Sequence, residues 1–397
     1  MKWVFLLGSA EISGGSFVIF EHALRNKKRG ADVYIVTENR VEHDTLNWHP
    51  EARKLTWMTY DEVKNIKFDI AIATWWKTVF FLHRINAKRY AYFVQSIESW
   101  FYPEEDVALR RLVDSTYLLP IPVITEATWI KKYLEENYNR DVSLVLNGVR
   151  KDVFTTEGAS FSNPDGKFRV LVEGAVNVPF KNVPKTIRLA RKSKADEVWL
   201  LTNSVVDSYP GVDKLFSKMS IYDCAKIYRS CDVVVKLSYV EGMFGPPLEM
   251  FHCGGTAVTY DVRGHDEYIV DGKNAFVVKT DDDERVVERI NELYDDKRLL
   301  KKLKTAALKT ADGWPDWDAS SLIFGERINA IMKTPQHITR EDLRILTQFY
   351  DEFYLTASDS ARQAMSLKGV IHNTARKSRT LRKAYGIYTR TRKRQRG

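Results

Sequence analysis

Short apolar runs alternate with amphipathic stretches along the first part of the chain, which predicts strands separated by helices. Apolar runs of strand length occur at 3–7, 33–37, 70–74, 92–96, 122–125 and 143–146. Helical periodicity occurs at 16–28, 104–114 and 126–138. Strands that alternate with helices in this way favour a parallel sheet covered on both faces.

The pattern stops at a linker and then starts again. Residues 155–166 are rich in Thr, Ser, Gly, Asn and Pro, which indicates a connecting segment. Beyond it we predict strands at 169–173, 198–202, 233–237, 256–260 and 275–278, and helices at 185–194, 221–229, 283–310 and after Gly245. We therefore predict an α/β fold with two Rossmann-like domains whose parallel sheets face a central cleft, plus a C-terminal helical extension.

The boundaries of this organisation follow from the same pattern. We assign residues 1–155 to the N-terminal domain, 156–318 to the C-terminal domain, 319–333 to a helix that returns towards the N-terminal domain, and 334–397 to a helical extension with a basic tail. Within the extension, apolar residues recur at three- and four-residue steps from Leu343 to Phe353, which predicts an amphipathic helix. This helix packs on the N-terminal domain or forms a subunit contact, and helices at 339–366 are the predicted surface for a homo-oligomer.

Length and composition fit two buried cores. The chain has 397 residues, of which 44% are hydrophobic and 12% aromatic, and this length exceeds the usual limit for one core. No apolar run approaches the roughly 18 residues of a membrane span. The three cysteines, Cys224, Cys231 and Cys253, form neither a disulfide framework nor a metal-ligand pattern. We expect a reducing, cytoplasmic location and no metal.

The positive charge of the chain belongs to its C-terminal end. The formal net charge is +9, but residues 360–397 hold 12 Lys and Arg and no Asp or Glu, which leaves a net charge of −3 before them. A mildly acidic globular part argues against a nucleic-acid-binding core. We expect the basic tail to contact an anionic membrane surface. Non-specific nucleic-acid binding by 390–396 and a disordered solubilising tail remain alternatives.

Residues 240–254 carry the most specific chemical pattern. Two carboxylates, Glu241 and Glu249, flank a turn that contains Gly242, Met243, Phe244, Gly245 and two prolines. The prolines favour the first turn of a helix, whose N–H groups attract an anion. Carboxylates on either side can accept hydrogen bonds from the hydroxyls of a polyol. The segment therefore predicts a site for a nucleotide-activated sugar.

Four markers in this order resemble retaining glycosyltransferases of the GT-B fold, family 4. They are the loop Ser13-Gly14-Gly15 before a helix, the segment Asn147-Gly148-Val149, Gly174 followed by Lys181, and the pair Glu241 and Glu249. The resemblance covers about residues 1–332. Phe93-Val94-Gln95 and the aromatic run 100–103 are similar to bacterial enzymes that build surface polysaccharides, including rhamnosyltransferases. Departures from the family pattern are Ala175 in place of an arginine, Gln95 in place of a histidine, and Ala275 in place of a glycine.

The resemblance implies a role for each marked residue. Glu241 should bind hydroxyls of the donor sugar and Glu249 those of the ribose, while Lys181 and backbone amides stabilise the leaving diphosphate. Glu241 and Lys181 are the predicted catalytic residues. The predicted donor site comprises Gly14, Gly15, Gly174, Lys181, Asn203, Glu241, Gly242, Met243, Phe244, Gly245 and Glu249. Gln95 and Glu98 are predicted on the acceptor side, in the N-terminal domain. No metal, cofactor or protein nucleophile is expected.

The resemblance implies a retaining transferase that moves a sugar from a nucleoside diphosphate sugar to a glycan or lipid-linked glycan, in surface polysaccharide synthesis. Its expected location is cytoplasmic, with peripheral contact at the inner face of a membrane. A nucleotide-sugar epimerase on a similar fold is one alternative, although the cleft segments offer few acid/base residues. A non-catalytic nucleotide-sugar or nucleic-acid binding protein is the other.

Overall fold

The computed structural model describes residues 1–355, and these form two α/β domains. The N-terminal domain has a seven-stranded parallel sheet with the order β3-β2-β1-β4-β5-β6-β7. Its strands are β1 Lys2–Leu6, β2 Asp32–Thr37, β3 Thr56–Thr59, β4 Lys67–Ala73, β5 Asn86–Val94, β6 Val123–Thr125 and β7 Val142–Leu144. Its helices are α1 Gly14–Lys28, α2 Trp76–Val79, α3 Val107–Ser115 and α4 Thr128–Tyr138.

The C-terminal domain repeats the design with six parallel strands in the order β10-β9-β8-β11-β12-β13. Its strands are β8 Arg169–Glu173, β9 Glu197–Thr202, β10 Lys214–Ser217, β11 Val233–Lys236, β12 Thr256–Tyr260 and β13 Phe276–Val278. Its helices are α5 Val183–Lys192, α6 Ile221–Arg229, α7 Gly245–His252, α8 Asp283–Asp295 and α9 Lys297–Asp312. The predicted α/β fold with two parallel sheets is confirmed.

Apolar packing on both faces of its sheet stabilises each of the two domains. Central strands such as β4 and β11 are buried over nearly their whole length, as expected for parallel strands covered by helices. Each sheet has an apolar cluster on each face, and a smaller cluster lies around α2 and α3 of the N-terminal domain. The burial of continuous apolar runs explains why those runs predicted the central strands.

Three local predictions were wrong. The edge strands β3 and β10 were not predicted, because none of their residues is fully buried and neither forms a continuous apolar run. The single helix predicted at 283–310 is two helices, α8 and α9. The chain breaks at Asp296, whose side chain accepts hydrogen bonds from the N–H groups of Arg298 and Leu299 and so caps the start of α9.

The chain crosses between the domains at two adjacent places. Val149 forms a parallel bridge with Asp316, just before α10 (Trp317–Lys333) begins. A side chain at Gly148 would lie 2.4 Å from the backbone of Asp316, so only glycine fits this crossing. Helix α10 then packs on α1 of the N-terminal domain, where Asn26 Nδ2 donates to the carbonyl of Ser321 at 3.0 Å.

The last helix among the described residues, α11 (Arg340–Leu355), packs on the N-terminal domain. Leu343 and Thr347 are buried, whereas Ile345 and Phe349 on the opposite face are exposed. Within residues 1–355, no helix combines the length and the apolar character needed to cross a bilayer. The predicted basic tail and the second half of the proposed 339–366 subunit contact lie outside the described residues.

Candidate functional site

The loop that follows β11 lies against the N-terminal domain. A side chain at Gly242 would lie 2.0 Å from the carbonyl oxygen of Gln95, so this close approach requires glycine. Trp129 Nε1 donates to the carbonyl of Gly242 at 2.9 Å, and the N–H of Met243 donates to Glu126 Oε1 at 3.2 Å. The Gly242–Met243 turn is therefore part of the contact between the two domains.

Helix α7 begins directly after this turn, as the two prolines predict. Pro246 lies in its first turn, where a missing N–H costs no intrahelical bond. The N–H of Gly245 donates to the carbonyl of Met243 at 2.9 Å, so this amide already has a partner. Phe244 is fully buried and its carbonyl accepts from the Tyr268 hydroxyl. These bonds fix the backbone between the two glutamates.

Glu241 is buried and contacts two ammonium groups. Lys181 Nζ donates to Glu241 Oε2 at 2.7 Å, and Lys236 Nζ lies 3.5 Å from Glu241 Oε1. Lys236 also donates to Glu173 Oε2 at 2.5 Å. Burial opposes ionisation of Glu241, but the charges of Lys181 and Lys236 outweigh this and lower its pKa to about 2. Glu241 is therefore an ionised carboxylate at neutral pH.

Glu249 belongs to the same group of charges, one turn into α7. Burial and the nearby charge of Glu173 raise its pKa to about 7, although a hydrogen bond with Tyr228 and the charge of Lys236 act in the opposite direction. The sequence marked Glu241 and Glu249 as a pair, and both respond to the charge of Lys236. The two glutamates therefore face one shared cluster.

The remaining predicted donor residues surround this cluster. Gly174 ends β8 in a left-handed conformation with φ of 148°, next to Lys181. Helix α1 begins at Gly14 after the N-cap Ser13, whose hydroxyl accepts from the N–H of Ser16, and Gly15 faces the side chain of Gln95. Asn203 joins the domains, since its Nδ2 donates to the carbonyl of Ile12 at 3.2 Å. The N-terminus of α1 and the end of β9 thus lie on the two sides of one interface.

The two predicted acceptor-side residues have different surroundings. Gln95 lies at the domain contact, and its buried Oε1 has no hydrogen-bond partner among residues 1–355. Glu98 lies inside the N-terminal domain, where it accepts from the N–H of Trp76 at 2.7 Å and from the Tyr92 hydroxyl at 3.1 Å. Burial raises the pKa of Glu98 to about 8. Glu98 is thus held within its own domain, and its acceptor role stays a prediction.

Sequence reasoning missed Glu173, Lys236 and Glu126. Glu173 precedes the marked Gly174, and Lys236 ends an otherwise apolar strand, so a charged residue at each strand end was the available signal. Glu126 follows β6 and binds the Met243 N–H; burial raises its pKa to about 7. No group of three or more metal-ligating side chains occurs within residues 1–355.

This arrangement combines two kinds of recognition in one place. The ammonium of Lys181 and the N-terminus of α1 attract an anion such as a diphosphate. The carboxylates of Glu241 and Glu249 accept hydrogen bonds from hydroxyl groups. The site is therefore suited to a ligand that carries both phosphate and sugar.

Comparison with known proteins agrees with this geometry. Residues 212–310 match the family model described as glycosyl transferases group 1. An uncharacterised glycosyltransferase of Methanocaldococcus jannaschii is 24% identical over 188 residues, 46% of this chain and 52% of that protein. The matching segment thus spans about half the length of this curated relative.

Solved structures share the whole two-domain arrangement. HepE of Anabaena, solved with UDP and glucose and with UDP-glucose, has a TM-score of 0.67 at 14% identity over 83% of this chain and 100% of its own. WaaG, a glycosyltransferase involved in lipopolysaccharide biosynthesis, has a TM-score of 0.62 at 14% identity over 84% and 100%. The fold of this chain is therefore GT-B.

Proposed function

We propose that the protein is a retaining glycosyltransferase of family 4 that takes a sugar from a nucleoside diphosphate sugar. The observation that carries the proposal is the contact between Lys181 and Glu241 at 2.7 Å, at the domain interface and beside the left-handed Gly174. One partner is suited to the leaving diphosphate and the other to the sugar. The match to the glycosyl transferases group 1 model over residues 212–310 supports it.

The transfer breaks the bond between the anomeric carbon and the diphosphate oxygen, and forms a bond from that carbon to an acceptor oxygen on the same face. Negative charge grows on the diphosphate, where Lys181 and the N-terminus of α1 stabilise it. The acceptor hydroxyl loses its proton to the departing phosphate oxygen, so no protein nucleophile is required. Glu241 holds the sugar hydroxyls and its charge favours the positive anomeric carbon.

The proposed donor and acceptor follow the relatives. UDP and UDP-glucose bound to HepE make uridine diphosphate sugars the first donors to test. The role of WaaG in lipopolysaccharide biosynthesis supports a glycan or lipid-linked glycan acceptor in surface polysaccharide synthesis. A rhamnosyl donor, a cytoplasmic location and membrane contact through the basic tail, residues 360–397, belong to the same proposal.

A thermal-shift screen of nucleotides tests the proposal directly. A nucleoside diphosphate at a hundred times its dissociation constant should add about 2.7 kcal/mol of stability. The matching monophosphate is the control, since Lys181 and the N-terminus of α1 are proposed to hold the second phosphate. If no member of a panel of uridine, guanosine, thymidine and adenosine diphosphates stabilises the chain more than its monophosphate, the proposal is wrong.

Turnover separates the alternatives. A transferase should consume donor sugar faster when an acceptor is present, whereas an epimerase would convert the donor without one. Glu241→Gln should lower turnover by about a hundredfold, because one carboxylate charge that faces the transition state is lost. A binding protein without catalysis would show no turnover in the unmodified chain.

A further inference from the structure

The two ammonium groups that contact Glu241 differ in exposure and surroundings. Lys181 follows a short turn after β8, and its side chain is 25% exposed. Lys236 ends β11, and its side chain is 2% exposed. A partly exposed lysine can turn towards a ligand, whereas a buried lysine fixed at a strand end keeps its place.

Strand pairing holds Lys236 in this position. Strands β8 and β11 are parallel neighbours, with Val172 opposite Val235. The next residues along, Glu173 and Lys236, therefore emerge side by side at the carboxyl ends of the strands, and their side chains pair at 2.5 Å. Lys236 Nζ also lies 3.4 Å from the Glu173 carbonyl oxygen. The ammonium is directly below Gly174, at 3.9 Å from where a side chain there would begin.

Donor binding would change the partner of Lys181. A diphosphate offers this ammonium a stronger acceptor than one carboxylate does, because it carries more negative charge. Glu241 would then lose its 2.7 Å partner while remaining buried. A buried carboxylate without a cation takes up a proton or turns away, since desolvation penalises its charged form.

We infer that Lys236 is a positioning residue of the proposed transfer reaction, held under Glu241 by Glu173, so that Glu241 keeps its charge and orientation while Lys181 binds the donor diphosphate. The inference rests on the proposed function. In this arrangement Lys181 stabilises the leaving diphosphate, and Lys236 stabilises the carboxylate of Glu241 that binds the sugar. Besides these two lysines, Glu173, Glu249 and the Tyr268 hydroxyl act on the same cluster.

The variant Lys236→Met with Glu173→Gln tests the inference without stranding a buried charge. It removes both charges of the ion pair but keeps side chains of similar length. Glu173 and Lys236 act in opposite directions on the pKa of Glu249, and both effects are removed together. We expect kcat near neutral pH to fall at least about tenfold, because Glu241 becomes protonated in the donor complex. The donor KM should stay within about threefold, since Lys181 is intact.

The pH profile provides the readout that a purely structural ion pair would not affect. The acid limb of kcat, which reports the donor complex, should move up by at least about one pH unit. The acid limb of kcat/KM, which reports the free enzyme, should move less, because Lys181 still contacts Glu241 there. Lys236→Met alone should show the same shift in the acid limb of kcat.

The other end of β8 offers a matched control. Arg169 begins this strand and pairs with Glu197 at 2.9 Å, also in a buried setting but far from Glu241 along the strand. Arg169→Met with Glu197→Gln should lower the melting temperature without moving either acid limb. If the Lys236→Met, Glu173→Gln variant keeps the wild-type kcat and the wild-type acid limbs, the inference is wrong and the proposed function is unaffected. A wild-type chain that turns over no nucleotide sugar overturns both the inference and the proposed function.

Discussion

The carboxyl ends of the two sheets meet at one interface, but the buried carboxyl groups on the two sides have different electrostatic surroundings. At the C-terminal domain, Glu173 and Glu241 contact lysine ammonium groups within 3.5 Å. At the N-terminal domain, Glu98 accepts from a backbone N–H and a tyrosine hydroxyl, and Glu126 accepts from a backbone N–H and hydrogen-bonds the Asn147 side chain, all of them neutral groups. The C-terminal side thus contains carboxylates that lysines hold in the charged form, beside Glu249, whose pKa is raised, whereas burial raises the pKa of both carboxyl groups named on the N-terminal side.

Under the proposed function, this difference assigns the donor to the C-terminal domain and the acceptor to the N-terminal domain. Burial raises the pKa of Glu98 to about 8 and that of Glu126 to about 7, whereas the lysines lower that of Glu241 to about 2. A leaving diphosphate needs cations and a growing positive charge needs an ionised carboxylate, and both are present on the C-terminal side. Under the proposed function, the acceptor hydroxyl would approach from the N-terminal side.

Removal of the exposed cation should have the largest effect. Lys181→Met leaves the leaving diphosphate without its ammonium, and we expect kcat/KM to fall by about 10² to 10³. Steady-state kinetics with saturating acceptor measures this. Lys185→Met is the control, since Lys185 is also ion-paired, with Asp281 and Asp283, one turn along on α5. If Lys181→Met and Lys185→Met lower kcat/KM equally, the loss is not specific to the ammonium group that contacts Glu241.

The sequence pointed to more of the residues that the structure brings together on the C-terminal side than on the N-terminal side, and the reason is local. Glycine and proline marked Lys181, Glu241 and Glu249, because turns that approach a ligand need those residue types. Lys236 and Glu173 are 63 positions apart, and no periodicity shows that their strands are neighbours. Only the sheet order brings them together.

The N-terminal edge shows the limit of reasoning from spacing. Gln95 and Glu98 are three residues apart and were equally plausible at the acceptor side, but the chain turns into a short helix after β5. Gln95 therefore remains at the domain contact while Glu98 points into the interior, towards Trp76. The central strands were predictable because burial on both faces requires continuous apolar runs, whereas the edge strands β3 and β10 lack that requirement.

A second prediction tests the neutral character of the N-terminal edge. The pKa of Glu98 rises from 4.5 to about 8 on folding, so the folded chain binds the proton more tightly and stability falls as pH rises through this window. Glu98→Gln cannot ionise and still accepts from Trp76 and Tyr92. Between about pH 6 and about pH 9 the wild type should lose about 2.7 kcal/mol more than this variant.

Urea unfolding at the two pH values measures the difference. Glu105→Gln, an exposed carboxylate before α3, is the control and should follow the wild type. If Glu98→Gln loses as much stability as the wild type over this range, Glu98 ionises without penalty and the contrast between the two edges is smaller than the structure indicates.

The smallest effect should come from the ring contact that joins the two edges. Phe101, after the turn at Glu98, stacks on Phe180, the neighbour of Lys181, with ring centroids 4.9 Å apart and 13° between the planes. Such a stack contributes about 0.5–1.5 kcal/mol beyond burial. Phe101→Leu should therefore raise the donor KM about two- to tenfold with little change in kcat, because the domains close less readily around the donor.

A double-mutant cycle separates stacking from general packing. If the rings act together, Phe101→Leu and Phe180→Leu should each weaken donor binding, and the double variant should be little worse than either single one. Phe161→Leu removes aromatic contacts with Trp199 and Phe216 inside the C-terminal domain, so it should lower stability but leave the donor KM unchanged. If the effects of the two substitutions are additive, the stacked rings contribute no coupling energy. The contact between Phe180, next to Lys181, and the opposite domain would then not couple the two domains, and each domain would bind its substrate independently.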